Sequence, residues 1–409
     1  MSEPSEQVAP LRRILFVDDE PRVLLALERL LRPRRTEWEM VFANGGEEAL
    51  ALLGREPFDV LVSDMRMPGI DGPTLLARVR KDYPQTVRIV LTGHTDLATV
   101  LRAVPVAHQL LSKPCDGEMV KDAVERACAL QNLLRDEPIR RIVGGIDSLP
   151  SLPRICLELN NLLADPDVSL TQVAKVVEKD PGMAAKVLQL VNSSFFGLAR
   201  RMTNVRDAVS YLGTNVLKNL VLSLAVFRAF DKAPKLPNFS LEALQAHSFT
   251  VATVAKRLCP SRELGEDAFV SALLADVGLL VLANHIPDHL IRALDAADAK
   301  NMRLHEVEQE LWGVTHAEIG AYLLGLWDLP TPIVEAVASH HDVTRIPHRQ
   351  FGALDAAYIA RVLVENSYHP AGVPMDRDEE LDPAYLEAIG MAGRMPEWQR
   401  LVNEQVKAA

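Results

Sequence analysis

The chain has 409 residues, 48% of them hydrophobic, with a formal net charge of −11 and a pI near 5.5. That length predicts two or three domains, and the acidic balance argues against a general binder of nucleic-acid backbones, which needs a basic face. The four cysteines, Cys115, Cys128, Cys156 and Cys259, show no CxxC spacing. The polar first ten residues lack the apolar core of a signal peptide, and the apolar stretch around 220–230 is too short to span a bilayer. The expected setting is therefore the reducing cytoplasm, with no membrane anchor.

Four apolar runs punctuate the first 115 positions, and each ends in a chemically distinctive residue. Ile14 to Val17 lead to Asp18 and Asp19, and Val60 to Val62 lead to Asp64. Ile89 to Leu91 lead to Thr92, and Leu110-Leu111 lead to Lys113-Pro114. An isolated acid after an apolar run is ordinarily a cap or turn residue. Five such positions in order imply more. The alternation over 11–135 predicts strands and amphipathic helices in a doubly wound parallel sheet, whose strand C-termini share one edge. Three carboxylates gathered there call for a hard divalent cation with oxygen ligands. An aspartate can act as a nucleophile toward phosphorus, with Lys113 supplying positive charge to the phosphoryl oxygens.

The stretch Asp59 to Gly72, DVLVSDMRMPGIDG, resembles the phosphorylation segment of the receiver domain of two-component response regulators. The resemblance implies a flavodoxin-like five-stranded receiver fold. It makes Asp64 the phosphoacceptor, phosphorylated by a sensor histidine kinase. Asp18, Asp19 and Asp64 would hold Mg2+ together with the backbone carbonyl of Arg66, and Thr92 and Lys113 would sense the phosphoryl group. Receivers usually carry an aromatic switch side chain three positions before the lysine, where this chain has Leu110. Arg66 and His94, each two residues beyond a site residue, are expected to flank the path of a hydrolytic water. Dimerisation of the receiver on phosphorylation is left open.

A helix carrying Met119, Val120, Ala123, Val124, Ala127, Leu130 and Leu134 follows, with Asp116 as its cap. It is read as a signalling connection over 116–142, ending near Pro138 and Gly144-Gly145. Strand signals then vanish. LPSLP at Leu149 to Pro153, EKDPGMAAKVLQL within Val176 to Leu190, VNSSFFG at Val191 to Gly197 and SYLG within Val209 to Leu222 resemble the HDOD domain. That is an all-helical output module related by fold to the HD metal phosphohydrolases. The resemblance spans about 140–345 and implies a module that works by binding a partner protein not named by the sequence.

The HD hydrolases hold metal through histidines and an adjacent His-Asp pair, and metal-activated water does the chemistry. Here the candidates for a vestigial site are His247, Asp276, His316 and His340. The histidine of the pair is replaced by Ala275, and the late aspartate position falls at Ala357, with Asp355 two residues away. The expectation is a non-catalytic domain without a transition metal. The alternative is a metal-dependent phosphohydrolase or cyclic-dinucleotide phosphodiesterase. Residues 346–409 read as a C-terminal helical extension, partly flexible over the loop Tyr368 to Pro383, with no catalytic motif.

Overall fold

The computed structural model describes residues 11–92, 102–103, 106–113, 117–131, 137–146, 158–159, 161–163, 165, 168–192, 196, 198, 200–223, 236–345, 350–374 and 379–408. The chain divides into two compact units, Met1–Asn132 and Leu133–Ala409.

The first unit is a five-stranded parallel sheet in the order β2-β1-β3-β4-β5. Its strands are β1 (Arg12–Val17), β2 (Trp38–Ala43), β3 (Val60–Asp64), β4 (Val87–Thr92) and β5 (Gln109–Ser112). β3 and β4 are buried along their whole length. Both are mostly apolar rather than alternating, as expected where helices cover both faces of a doubly wound sheet, with the buried polar residues Ser63, Asp64, Arg88 and Thr92 as exceptions. Helices α1 (Pro21–Leu31), α2 (Gly46–Leu53) and α3 (Gly72–Asp82) follow the first three strands, and α4 (Gly117–Gln131) follows β5. Pro21 suits the first turn of α1, where its missing N–H is no loss. Asp71 caps α3 by accepting the Thr74 amide at 2.9 Å. The strand order is the flavodoxin-like one, which places ligands at the strand C-termini.

The second unit is helical throughout its described residues. Its helices are α5 (Glu137–Gly144), α6 (Leu170–Val177), α7 (Pro181–Asn192), α8 (Val205–Ser223), α9 (Leu241–Leu258), α10 (Arg262–Leu274), α11 (Val277–His285), α12 (Pro287–Lys300), α13 (Leu304–Trp312), α14 (His316–Leu326), α15 (Thr331–Ser339), α16 (Ala353–Glu365), α17 (Pro383–Ala388) and α18 (Met395–Ala408). Asp180 opens α7 as the sequence predicts, its carboxylate accepting the Met183 amide at 3.0 Å. α8 is kinked at Gly213, where φ is +74°; residues 224–235 lie outside the described ones.

Within the span 116–142 read as a signalling connection, the described residues form α4 in the first unit and α5, packed on α14, in the second. The residues between them, its proposed cap Asp116, and the LPSLP motif fall outside the described residues. The stretch read as a C-terminal extension contributes to the core. α16 is nearly all buried and packs on α9 and α10, while α18 packs on α9 and α16 with Trp398 fully enclosed. Most of the apolar stretch around 220–230 lies outside the described residues. Among the described residues, Arg262–His285 holds an 18-residue window of mean hydropathy 1.7, 83% of it buried within the unit as α10 and α11.

Candidate functional site

The predicted residues of the first unit gather at the C-terminal edge of the sheet. Asp18 and Asp19 follow β1, Asp64 ends β3, Thr92 ends β4, and Lys113 follows β5. The parallel register sets their level: Asp64 pairs with Leu91, one residue before Thr92, and Thr92 pairs with Ser112, one before Lys113. The Lys113 amide donates to the Thr92 carbonyl at 2.5 Å, which fixes the root of the lysine beside β4.

The lysine reaches across the sheet edge. Its Nζ donates to Asp64 Oδ1 at 2.5 Å and to Asp18 Oδ2 at 2.8 Å. Burial opposes its charge, but the hydrogen bonds it donates to both carboxylates and their negative charge outweigh this and hold the ammonium above its ordinary pKa. The second oxygen of Asp64 accepts the Arg66 amide at 2.7 Å, and Asp18 Oδ1 accepts the Glu20 amide at 2.9 Å. Asp18, Asp64 and Thr92 are buried, Asp19 and Arg66 exposed. The donor set is three carboxylates on one edge with an open side at Asp19, which fits a hard oxygen-seeking dication. His94 and Pro114 fall outside the described residues. Leu110, at the position where an aromatic switch was expected to be missing, is buried on β5 beside Val90.

Gly72 holds the end of β3 in place. A Cβ there would lie 2.3 Å from the Asp64 carbonyl oxygen and 3.0 Å from Met65 Cα. Only glycine lets α3 start this close to the end of β3.

In the second unit, the four residues proposed from sequence are not the four the fold brings together. Asp276, His316, His340 and His341 have ligand atoms all within 4.8 Å of one another. His247 is not in this set; its Nε2 lies 3.6 Å from Glu365 Oε1, because α9 packs on α16, which carries that glutamate. His341 takes the fourth place, being the residue directly after His340 where α15 gives way to a turn. Its neighbour in sequence was the signal available, and the adjacent His-His pair carried it. Glu308 was missed altogether: buried on α13, it accepts both the backbone amide of His316 and the Nδ1 hydrogen of that ring, each at 2.7 Å. The Asp276 carboxyl is pushed up by burial, but the hydrogen bond and charge of His340, with His316 and His247 nearby, outweigh this and hold it well below the usual range.

Gly278 makes the cluster possible. A Cβ on it would stand 1.8 Å from the His316 carbonyl oxygen, so only glycine lets the start of α11, with Asp276 before it, touch the start of α14.

With this geometry in hand, comparison with known proteins places both units. Residues 14–125 match the family described as response regulator receiver domain, and residues 149–343 match the HDOD domain. The chain joins a response regulator receiver domain to an HDOD domain. An uncharacterized protein of Treponema pallidum is 29% identical over 210 residues, which is 50% of this chain and 40% of that protein. The hydrogenase transcriptional regulatory protein HoxA of Cupriavidus necator is 38% identical over 125 residues, 30% of this chain and 25% of HoxA. The chain thus spans well under half the length of these curated relatives. Among solved structures, the MmoQ response regulator of Methylococcus capsulatus is 24% identical with a TM-score of 0.47, covering 63% of this chain and 98% of that one. The receiver and HDOD matches together are those of a regulator, and the receiver's relatives are response regulators, which in general pair with a sensor kinase.

Proposed function

We propose that Asp64 accepts a phosphoryl group from a sensor histidine kinase and that the HDOD domain transmits the result by binding a partner protein. The observation that carries this is the placement of Lys113 Nζ within hydrogen-bond reach of both Asp64 and Asp18. An Asp64 oxygen attacks phosphorus, a P–O bond forms and the P–N bond to the kinase histidine breaks, with the imidazole leaving and taking up a proton. Asp18, Asp19 and Asp64, with the Arg66 carbonyl, are the residues that would hold Mg2+, which supplies charge neutralisation on the phosphoryl oxygens. Lys113 shifts from the Asp64 carboxylate to the new phosphoryl oxygens, and Thr92 donates its hydroxyl to another. Arg66, exposed beside Asp64, slows the approach of water. The setting is cytoplasmic, and the output unit runs from α5 to α18.

The HDOD domain is proposed to be non-catalytic. Ala275 removes one ligand of the two-ion arrangement, and Ala357 offers none where the late aspartate would stand. A chain that hydrolyses a cyclic dinucleotide in the presence of Mn2+ or Zn2+, and loses that activity with Asp276→Asn, overturns this part.

The test of the main reading is incubation of the full chain with acetyl phosphate and Mg2+, followed by intact-mass measurement and peptide mapping. One phosphoryl group on Asp64, absent in Asp64→Asn and without Mg2+, is the expected result. No acid-labile phosphate in the folded protein refutes it. Replacing Arg66 with Asn is expected to speed loss of the label; equal rates remove Arg66 from the account.

A further inference from the structure

A pocket of about 470 Å3 opens beside Asp64, lined by Met65, Arg66, Met67, Pro68, Asp71 and Arg102. That is the size range of small-molecule sites. Met65 and Arg66 follow Asp64 directly, and the Arg66 amide holds Asp64 Oδ2. Asp71 is fixed nearby because it caps α3, which starts against the Asp64 carbonyl at Gly72.

Asp71 in turn ties Arg102 to the pocket wall. One of its oxygens accepts the Thr74 amide, and the other accepts Arg102 Nη2 at 3.0 Å. Burial raises the Asp71 carboxyl, but the Thr74 hydrogen bonds and the bond and charge of Arg102 outweigh this and hold it below its ordinary pKa. The carboxyl is therefore ionised at neutral pH and keeps its guanidinium. The pair is open to solvent, with 60% of the Arg102 side chain and 33% of Asp71 exposed, so parting the two strands no buried charge.

Phosphoryl donors differ in what leaves. An acyl phosphate releases a carboxylate. A phosphoramidate or a phosphohistidine releases an uncharged amine or imidazole. A guanidinium binds a carboxylate through its planar fork, and Arg102 already holds one at this wall, that of Asp71.

We propose that Arg102 selects among donors: the pocket takes the acyl end of a small acyl phosphate, and Arg102 exchanges Asp71 for the departing carboxylate. This rests on Asp64 being the phosphoacceptor. An Asp64 oxygen forms the new bond to phosphorus. The bond from phosphorus to the acyl oxygen breaks, and that oxygen leaves with the electron pair as carboxylate, with no proton required. Attacking and leaving groups lie roughly in line through phosphorus, so negative charge grows on the side away from Asp64, where a placed cation stabilises the transition state. With phosphoramidate, nitrogen leaves as neutral ammonia from its protonated form, and Arg102 gives no such help.

The experiment follows phosphoryl incorporation into the full-length chain with Mg2+ by intact mass, against the concentration of acetyl phosphate and, separately, of phosphoramidate. Arg102→Gln is expected to lower the second-order rate with acetyl phosphate about tenfold, less than the loss of a buried oxyanion donor because the group is exposed. The rate with phosphoramidate should stay within about twofold. Arg102→Lys keeps the charge without the fork and should recover part of the loss. Asp71→Asn keeps the cap of α3 but frees Arg102, and should raise the acetyl phosphate rate by about two- to threefold as the competing resting state is removed. A purely structural ion pair would move both variants the same way, so the opposite signs separate the two accounts. Equal slowing with both donors in Arg102→Gln overturns the proposal. So does an acetyl phosphate rate unchanged in that variant or lowered in Asp71→Asn. Wild-type protein labelled by neither donor removes the phosphoacceptor reading, and this proposal with it.

Discussion

Lys113 bridges two carboxylates, and its raised pKa has a definite sign in stability. The stabilisation is complete below the unfolded lysine pKa of about 10.4 and is lost only as pH rises through the higher folded value. In chelator, Lys113→Met should therefore lower the denaturation midpoint of the receiver by a constant amount from pH 6 to 9. A difference that shrinks across that range contradicts the bridge. Cys128 and Cys259 are both pushed up to about 12, chiefly by burial. At pH 8 their thiolate fraction is about one part in ten thousand, and native-state alkylation read by peptide mapping should leave both unlabelled. Gly72→Ala places a methyl against the Asp64 carbonyl. It should cost about 1–3 kcal/mol in urea denaturation, the usual scale for overpacking, and slow phosphorylation of Asp64. The receiver site was legible because its residues each end a strand, and parallel strands leave little freedom in where their ends go. The Asp276 cluster was half legible. Sequence order put Asp276, His316 and His340 together, but whether His247 or His341 joined them depended on how helices turn and cross, which spacing alone does not encode.

Among the described elements, α16 carries a buried polar network. Arg361, 3% exposed, donates to Glu365 at 3.0 Å and to Glu379 at 2.7 Å, while the Tyr358 hydroxyl donates to Glu379 at 3.1 Å. Burial and the Glu379 charge push the Tyr358 phenol above its ordinary range. Glu379, in the loop before α17, is bonded to this helix, while 375–378 of that loop lie outside the described residues. Removing the arginine takes a buried charged donor from two buried carboxylates, so Arg361→Ala should destabilise the second unit by about 3–5 kcal/mol. Retention of the wild-type urea midpoint would dismiss the network as a stabilising element. α16 was legible as a helix from its apolar spacing. Its place at the centre was not, because the motifs that carry the HDOD resemblance stop before it.

At the scale of the molecule, two units with separate cores should unfold in two transitions, and Mg2+ should raise only the receiver's midpoint. A single transition moved as a whole by Mg2+ would show that the units are not independent. The two units also differ in when they become complete during synthesis. The receiver's sheet closes once β5 and α4 have emerged, within the first third of the chain. The HDOD core cannot close until the final helix has left the ribosome, because Trp398 and Val402 of α18 belong to it and α18 covers α9. Domains fold in the order they are made. From the emergence of α4 to that of α18 the nascent chain is therefore a finished receiver trailing a second unit whose apolar helices are still uncovered.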